Sequence, residues 1–131
     1  MLEEKILHDY HTIAVVGASP NPERPSHRVA SYLVEHGYNV IPVNPTAVQI
    51  LDKTCYPDLS SVTEKVEVVD IFRRSEDVMP IVEEAIRVGA KAIWMQEGVI
   101  NEEAASRARD AGLLVVMDKC MLKEHCALLQ K

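Results

Sequence analysis

The chain has 131 residues, a common size for one domain with a single hydrophobic core. Its formal net charge is -6, from 20 Asp and Glu against 14 Lys and Arg, which excludes a broad basic surface for nucleic acid. No apolar run approaches the roughly 20 residues of a membrane helix, and the N-terminus lacks the basic and then apolar segments of a secretory signal. We therefore expect a cytoplasmic protein with no membrane partner.

Short apolar segments alternate with helical patterns along the chain. Thr12 to Val16 is a near-continuous apolar run, as expected for a strand that is buried on both faces. Four more strands are predicted at residues 39–43, 66–72, 91–95 and 113–117, with a short extra strand near residues 55–56.

Capping residues and glycines set the ends of the helices predicted between these strands. The expected starts are Pro25 or Ser26, Asp77, Asn101 and Asp118, and the glycines that end the first three helices are Gly37, Gly89 and Gly112.

Strands that alternate with helices through short connections form a parallel sheet, because each right-handed crossover carries a helix. The predicted fold is α/β, a single Rossmann-like domain over residues 1–131 with a five-stranded parallel sheet and helices on both faces. Ligands of such sheets bind beyond the carboxyl ends of the strands. The residues that follow each strand are therefore the candidates for a site.

The loop after the first strand begins with Gly17, Ala18 and Ser19 and leads into a helix. Glycine allows a sharp turn, and the free amides at a helix start attract anions. Arg24 and Arg28 add positive charge to an otherwise acidic chain. We interpret the segment as a phosphate-binding loop; the alternative is a structural turn with solvated arginines.

This loop differs from the dinucleotide-binding fingerprint. A G-x-G-x-x-G motif would put two more glycines here, but none occurs between Gly17 and Gly37. The second strand ends at Val43 and Asn44, where an NAD site usually presents an acidic residue. Both points weaken the hypothesis of an NAD(P)-dependent oxidoreductase, which is kept as an alternative.

The other strand ends bring polar residues to the same edge of the sheet. Arg73 and Arg74 could clamp a phosphate or remain a solvated pair. Cys120, in the first turn of the last helix, could be reactive because the helix dipole favours a thiolate, although an inert thiol is the usual outcome. No set of nucleophile, base and orienting group is recognisable, nor any metal-ligand spacing, which favours a binding module over an enzyme without deciding the point.

Six stretches of the chain together point to one family. In their order they resemble the small CoA-binding proteins of the Rossmann-like CoA-binding domain family, which is related to the N-terminal domain of the succinyl-CoA synthetase alpha subunit. The resemblance covers about residues 6 to 129 and rests on the ordered set. The stretches are residues 16–19 with 24–26, then 37–45, 55–59, 69–73, 94–98 and 116–120.

The resemblance implies that coenzyme A or an acyl-CoA binds with its ADP moiety across the carboxyl edge of the sheet. The Gly17 loop with Ser19, Arg24 and Ser26 would meet the pyrophosphate. The adenine and ribose would be bordered by Asn44, Pro45, Phe72 and Arg73, and the pantetheine side by Gln96, Glu97 and Gly98. Cys120 could approach the CoA thiol, where a mixed disulfide is conceivable.

Two departures from the family bear on function. Relatives often carry Lys or Arg after the Asn-Pro pair, where residues 46–49 are the uncharged Thr-Ala-Val-Gln, so a contact to the 3′-phosphate is left open. The synthetase subunits also have a further domain with a phosphorylated histidine, for which this chain has no room. We expect a stand-alone CoA-binding protein; a regulatory or CoA-binding subunit of a separate acyl-CoA ligase, or a homo-oligomer, is also open.

Overall fold

A computed structural model describes residues 1–130 and contains a parallel sheet between two layers of helices. The strands are β1 (Thr12–Val16), β2 (Asn39–Val43), β3 (Gln49–Ile50), β4 (Lys53–Thr54), β5 (Val68–Ile71), β6 (Ala92–Met95) and β7 (Leu114–Val116). The helices are α1 (Leu2–Asp9), α2 (Pro25–Glu35), α3 (Val78–Val88), α4 (Glu102–Asp110) and α5 (Met121–Leu129). The main sheet has the order β2-β1-β5-β6-β7 with every neighbouring pair parallel, which confirms the predicted α/β architecture.

The apolar run of β1 is explained by its place inside the sheet. Ala14 and Val16 pack into the core on one face, while Ile13 and Val15 pack into the core on the other. All four side chains are buried. A strand that is covered on both faces needs apolar residues at every position, which is why its sequence does not alternate.

Each face of the sheet is covered by its own helices. Residues of α3 and α4 pack on the first face, and residues of α1, α2 and α5 pack on the second. The fully buried side of α4 consists of Ala104, Ala105 and Ala108, whose small side chains allow a close approach to its neighbours. Within residues 1–130, no helix has the length and apolar character needed to cross a membrane.

A cluster of aromatic rings joins α2 to α5. A hydrogen bond of 2.7 Å connects the Tyr32 hydroxyl with His125 Nδ1, and Cys126 Sγ donates to the same hydroxyl at 3.2 Å. The His36 ring stacks on Tyr32 with 4.0 Å between centroids. Burial, followed by the charge of His36, lowers the pKa of His125. The half-buried His125 therefore packs between α2 and α5, whereas His36 lies at the exposed end of α2.

The sequence located the main strands closely. The bounds of β1 and β2 match the prediction, and those of β5, β6 and β7 are one or two residues shorter at some ends. The extra strand expected near residues 55–56 is a single parallel bridge between Val43 and Tyr56, preceded by the hairpin of β3 and β4. The sequence pattern did not indicate α1, whose Ile6 and Leu7 are buried.

One predicted helix cap is wrong. The backbone at Asp118 is left-handed, with a φ of 61°, and α5 begins three residues later with Cys120 as its N-cap. The Asp118 carboxylate instead accepts a hydrogen bond of 2.7 Å from the amide of Gly98. Asn101 does cap α4, because its side chain accepts from the Ala104 amide.

Candidate functional site

A cleft of about 840 Å³ lies at the carboxyl edge of the sheet. From β1 the chain passes to β2 on one side and later returns to β5 on the other side, so the strand order reverses beside β1. Such a switch point opens a crevice between the loops that leave in opposite directions. The volume lies within the range of about 300–1,000 Å³ that is typical of small-molecule sites.

Gly17 makes the turn that starts the floor of this cleft. Its φ is +90°, and a Cβ at this position would overlap the carbonyl oxygen of Phe72, so only glycine fits. The Gly17 amide donates to Val43 O at 2.9 Å, and Asn44 Nδ2 donates to Ala18 O at 2.7 Å. These bonds fix the backbone of the loop beside the next strand.

The start of α2 offers polar groups that have no protein partner. Ser26 borders the cleft and is 5% exposed, and its hydroxyl makes no hydrogen bond within residues 1–130. The guanidinium of Arg24, the N-cap residue, also lacks an ion pair in this part of the chain. Arg28 is partly engaged, since its Nη1 donates to Glu23 O at 2.7 Å. The helix dipole adds partial positive charge at the same place, although the amides of His27 and Arg28 already donate to Arg24 O.

The two arginines after β5 differ in their surroundings. Arg74 pairs with Asp77 at 3.1 Å and with Glu76 at 3.8 Å, and the hydrogen bond that Arg74 donates to Asp77 raises the pKa of Arg74 most. Arg73 makes no hydrogen bond or ion pair within residues 1–130 and borders both the cleft and a second cavity of about 260 Å³. Arg73 is therefore the arginine of this pair that is available to a ligand.

The opposite wall of the cleft is held together by hydrogen bonds between loops. Gln96 Oε1 accepts from the Met121 amide at 3.1 Å, and the Trp94 indole donates to the Lys119 carbonyl at 2.9 Å. Lys123 donates to both oxygens of Glu97, at 3.0 and 3.1 Å, and this interaction is the main cause of the raised pKa of Lys123. This wall is preassembled, whereas the α2 side keeps unpartnered donors.

Positive charge gathers at the cleft although the chain is acidic overall. Within residues 1–130, five cationic side chains border it against one carboxylate, that of Glu97. This local excess, together with the helix start, suits an anionic ligand. The five are Arg24, Arg28, Arg73, Arg74 and Lys123.

Most of the site residues expected from the sequence lie together. Those that border the cleft are Gly17, Ser19, Arg24, Ser26, Arg28, Asn44, Phe72, Arg73, Gln96, Glu97 and Cys120. Three others lie beside it. Ala18 belongs to the Gly17 loop and is buried, and Pro45 borders the second cavity. Gly98 precedes Val99, which borders the cleft.

The sequence interpretation missed several residues that border the cleft. Leu122 and Lys123 lie in the first turn of α5, which approaches the cleft because its first amide, that of Met121, donates to Gln96. Pro25 and Val29 belong to α2, and Val29 had the spacing of a core residue. The available signal was that both helices are the elements that follow a strand end through a single loop.

Comparisons with known proteins agree with this geometry. A family model described as a CoA binding domain matches residues 11–126. The chain is 37% identical to the Bacillus subtilis protein YneT over 122 residues, which cover 93% of this chain and 90% of YneT. It is 46% identical to the solved structure of a hypothetical protein from Pyrococcus horikoshii, with a TM-score of 0.94 and coverage of 97% of this chain and 89% of that chain.

A longer enzyme also contains this fold. The solved structure of the dinucleotide-forming acetyl-coenzyme A synthetase 1 from Ca. Korarchaeum cryptofilum, in complex with phosphate and ADP, is 28% identical with a TM-score of 0.76. The match covers 90% of this chain but 28% of the synthetase chain.

The sheet, the cleft at its carboxyl edge and the family match over most of the chain agree, and the protein belongs to the family of CoA binding domains.

Proposed function

We propose that this protein binds coenzyme A or an acyl-CoA in the cleft, as a stand-alone binding protein with no catalysis of its own. The observation that carries the proposal is the group of side chains that face the cleft without a protein partner: Ser26, Arg24 and Arg73. Oxygens of a pyrophosphate would accept hydrogen bonds from all three, and charge-assisted bonds of this kind are among the stronger ones. Family membership supports CoA among the phosphate-bearing ligands.

The cleft suggests how the parts of CoA are arranged. We place the pyrophosphate between the Gly17 loop and the start of α2. The adenine and ribose then lie toward Asn44 and Pro45, where the second cavity of about 260 Å³ adjoins. The pantetheine arm runs along the opposite wall, past Gln96, toward the start of α5.

The environment of Asn44 favours CoA over NAD. Its Nδ2 donates to Ala18 O, and its Oδ1 accepts from both the amide and the hydroxyl of Thr46 at 2.8 Å. NAD sites use an acidic side chain at this point to accept from the ribose hydroxyls. The amide of Asn44 is already engaged in holding the loop, so it supports the fold of the site in place of that contact.

Isothermal titration calorimetry with CoA, acetyl-CoA, ADP and NAD tests the proposal. We expect CoA and acetyl-CoA to bind with similar affinity, because the acyl group is attached at the end of the arm that is farthest from the pyrophosphate. ADP should bind more weakly, since it lacks the arm. Tighter binding of NAD than of CoA would contradict the proposal and favour a dehydrogenase.

A further inference from the structure

Cys120 differs from the other two cysteines in its access to the cleft. All three lie within residues 1–130, and Cys120 alone borders the cleft, where its Sγ makes no hydrogen bond in this part of the chain. Cys126 Sγ donates to the Tyr32 hydroxyl at 3.2 Å. Cys55 is buried, with its Sγ 3.6 Å from the Asn44 carbonyl, and burial raises the pKa of its thiol.

A second group beside Cys120 points to a ligand. Gln96 is 5% exposed and borders the cleft, and its Oε1 accepts from the amide of Met121, the residue after Cys120. Its Nε2 donates to no group within residues 1–130, which leaves this donor for a ligand at the cleft. The two amide carbonyls of a pantetheine arm are suitable acceptors.

The distance across the cleft suits that arm. Neighbouring strands lie about 4.8 Å apart, so the ends of β1 and β6, which are separated by β5 alone, lie about 10 Å apart. The Lys119 amide donates to the Met95 carbonyl at 3.3 Å, which holds the residue before Cys120 over the end of β6. About twelve bonds join the pyrophosphate of CoA to its sulfur, equivalent to about four extended residues or about 14 Å. The sulfur therefore reaches Cys120 when the pyrophosphate lies at the start of α2.

We propose that Cys120 is a thiol–disulfide exchange site, at which the pantetheine sulfur of CoA is attached to the protein as a mixed disulfide. The inference rests on the proposed binding of CoA in the cleft. The co-reactant is the symmetrical disulfide of CoA. The Cys120 thiolate attacks one of its sulfurs, the bond between Cys120 and that sulfur forms as the original S–S bond breaks, and the second CoA leaves as a thiolate. This thiolate takes up the proton that Cys120 released, so there is no net oxidation.

The start of α5 fixes the position of Cys120 at the cleft. Cys120 is the N-cap of this helix, and Lys123, three residues later, also borders the cleft. The Lys123 ammonium donates to both oxygens of Glu97 at 3.0 and 3.1 Å, so an ion pair fixes this side of the cleft. Together with the open cleft, this distinguishes Cys120 from a packed thiol such as Cys126.

The test measures labelling of the reduced protein by CoA disulfide and by cystamine, a small disulfide without the nucleotide. Intact mass spectrometry follows the rate, and peptide mapping identifies the cysteine. Each rate is divided by the rate of the same disulfide with the urea-unfolded chain. We expect a single CoA adduct on Cys120. Its normalised rate of formation should exceed the normalised rate with cystamine by about tenfold or more, because binding orients the sulfur. The variant C126S should be labelled like the wild type, and C120S should lose the adduct.

An adduct that persists in C120S, or equal normalised rates for the two disulfides, would overturn the inference. Calorimetry of the wild type with desulfo-CoA, which lacks the thiol, separates this failure from that of the proposed function. If desulfo-CoA binds but Cys120 is not labelled, the inference fails and CoA binding stands. If desulfo-CoA does not bind, the proposed function fails as well.

Discussion

Two regions of this molecule contain polar side chains without a hydrogen-bond partner: the start of α2 and the centre of the sheet. At the start of α2, Ser26 is 5% exposed and borders the cleft, and its hydroxyl has no hydrogen-bond partner within residues 1–130. In the sheet, Asp70 of β5 is fully buried between Val15 and Trp94 on the neighbouring strands, and within residues 1–130 neither of its carboxylate oxygens has a partner. An unpaired polar group is costly where it is buried, as these two oxygens are.

The difference between the two regions is access to the cleft. Ser26 can be satisfied by a ligand, whereas Asp70 borders neither cavity. Burial instead raises the pKa of Asp70 well above its ordinary value, because it disfavours the charged form of the carboxyl group. The comparison shows that an unpartnered polar group indicates a binding site only where it faces space that a ligand can enter.

The largest expected effect comes from a substitution in the Gly17 loop, on which the floor of the cleft depends. Gly17→Ala should lower the free energy of unfolding by about 3 kcal/mol, because the added Cβ combines a left-handed φ with overlap of the Phe72 carbonyl. Gly37→Ala is the control, since Gly37 has a φ of +91° but nothing within 4 Å of the added Cβ. It should cost about 1 kcal/mol. Urea unfolding measures both, and equal losses would contradict the role of close approach.

A smaller change removes one unpartnered donor from the cleft and leaves the sheet intact. Arg24→Ala should weaken CoA binding by about 1.5–3 kcal/mol, the scale of a hydrogen bond to a charged group. Arg109→Ala on the exposed side of α4 is the matched control, because it removes the same charge far from the cleft. Calorimetric titration of the two variants with CoA measures the change in affinity. An unchanged affinity in Arg24→Ala would exclude Arg24 from the site.

The sheet centre is tested by pH. Because the pKa of Asp70 is raised in the folded state, its contribution to stability is fully present below the ordinary Asp pKa. That contribution is lost as the pH rises through the folded pKa, at up to about 1.4 kcal/mol per pH unit. Asp70→Asn should remove this loss, so the difference in unfolding free energy between variant and wild type should grow in favour of the variant as pH rises. The exposed Asp110→Asn serves as control, and a difference that does not change with pH would contradict the buried acid.

The smallest effect concerns the 3′-phosphate of CoA. Residues 46–49 carry no charge, and the Thr46 hydroxyl already donates to Asn44 Oδ1 at 2.8 Å. We therefore expect dephospho-CoA and CoA to bind within about twofold of each other, since no charge-assisted contact is lost. Competition calorimetry gives the ratio. An affinity for CoA about tenfold higher than that for dephospho-CoA would show that a cationic side chain outside residues 46–49 contacts this phosphate.

The sequence predicted the sheet well because a strand that is buried on both faces consists of an uninterrupted run of apolar residues. The apolar run of β1 and the glycine after it place both the strand and the loop. The role of Asp118 could not be predicted in the same way. An Asp shortly before a helix has the sequence signature of an N-cap, even when a left-handed residue separates the strand from the helix, as it does here. The position of Lys123 at the cleft depends on how α5 lies against the sheet, which is a property of tertiary packing.

The same limit applies to the two unpartnered groups. Nothing in the residue type distinguishes Ser26 from any other serine at a helix start, and its hydroxyl is recognised only when its neighbours are known. Asp70 lies in an otherwise apolar strand, which marks it as unusual, but its lack of a partner follows from the strands on either side. Composition can suggest such residues, and packing decides what they do.

The hydrogen bonds that join Gly98 to Asp118 and Gln96 to Met121 have a kinetic consequence. A wall that is assembled before the ligand arrives leaves no closing step to follow the encounter, so binding should proceed in one phase whose rate rises linearly with ligand concentration. Ligands with different acyl groups should then arrive at similar rates, and because their affinities are expected to be similar, they should also dissociate at similar rates. The relative concentrations of CoA and its thioesters would then decide which of them occupies the cleft.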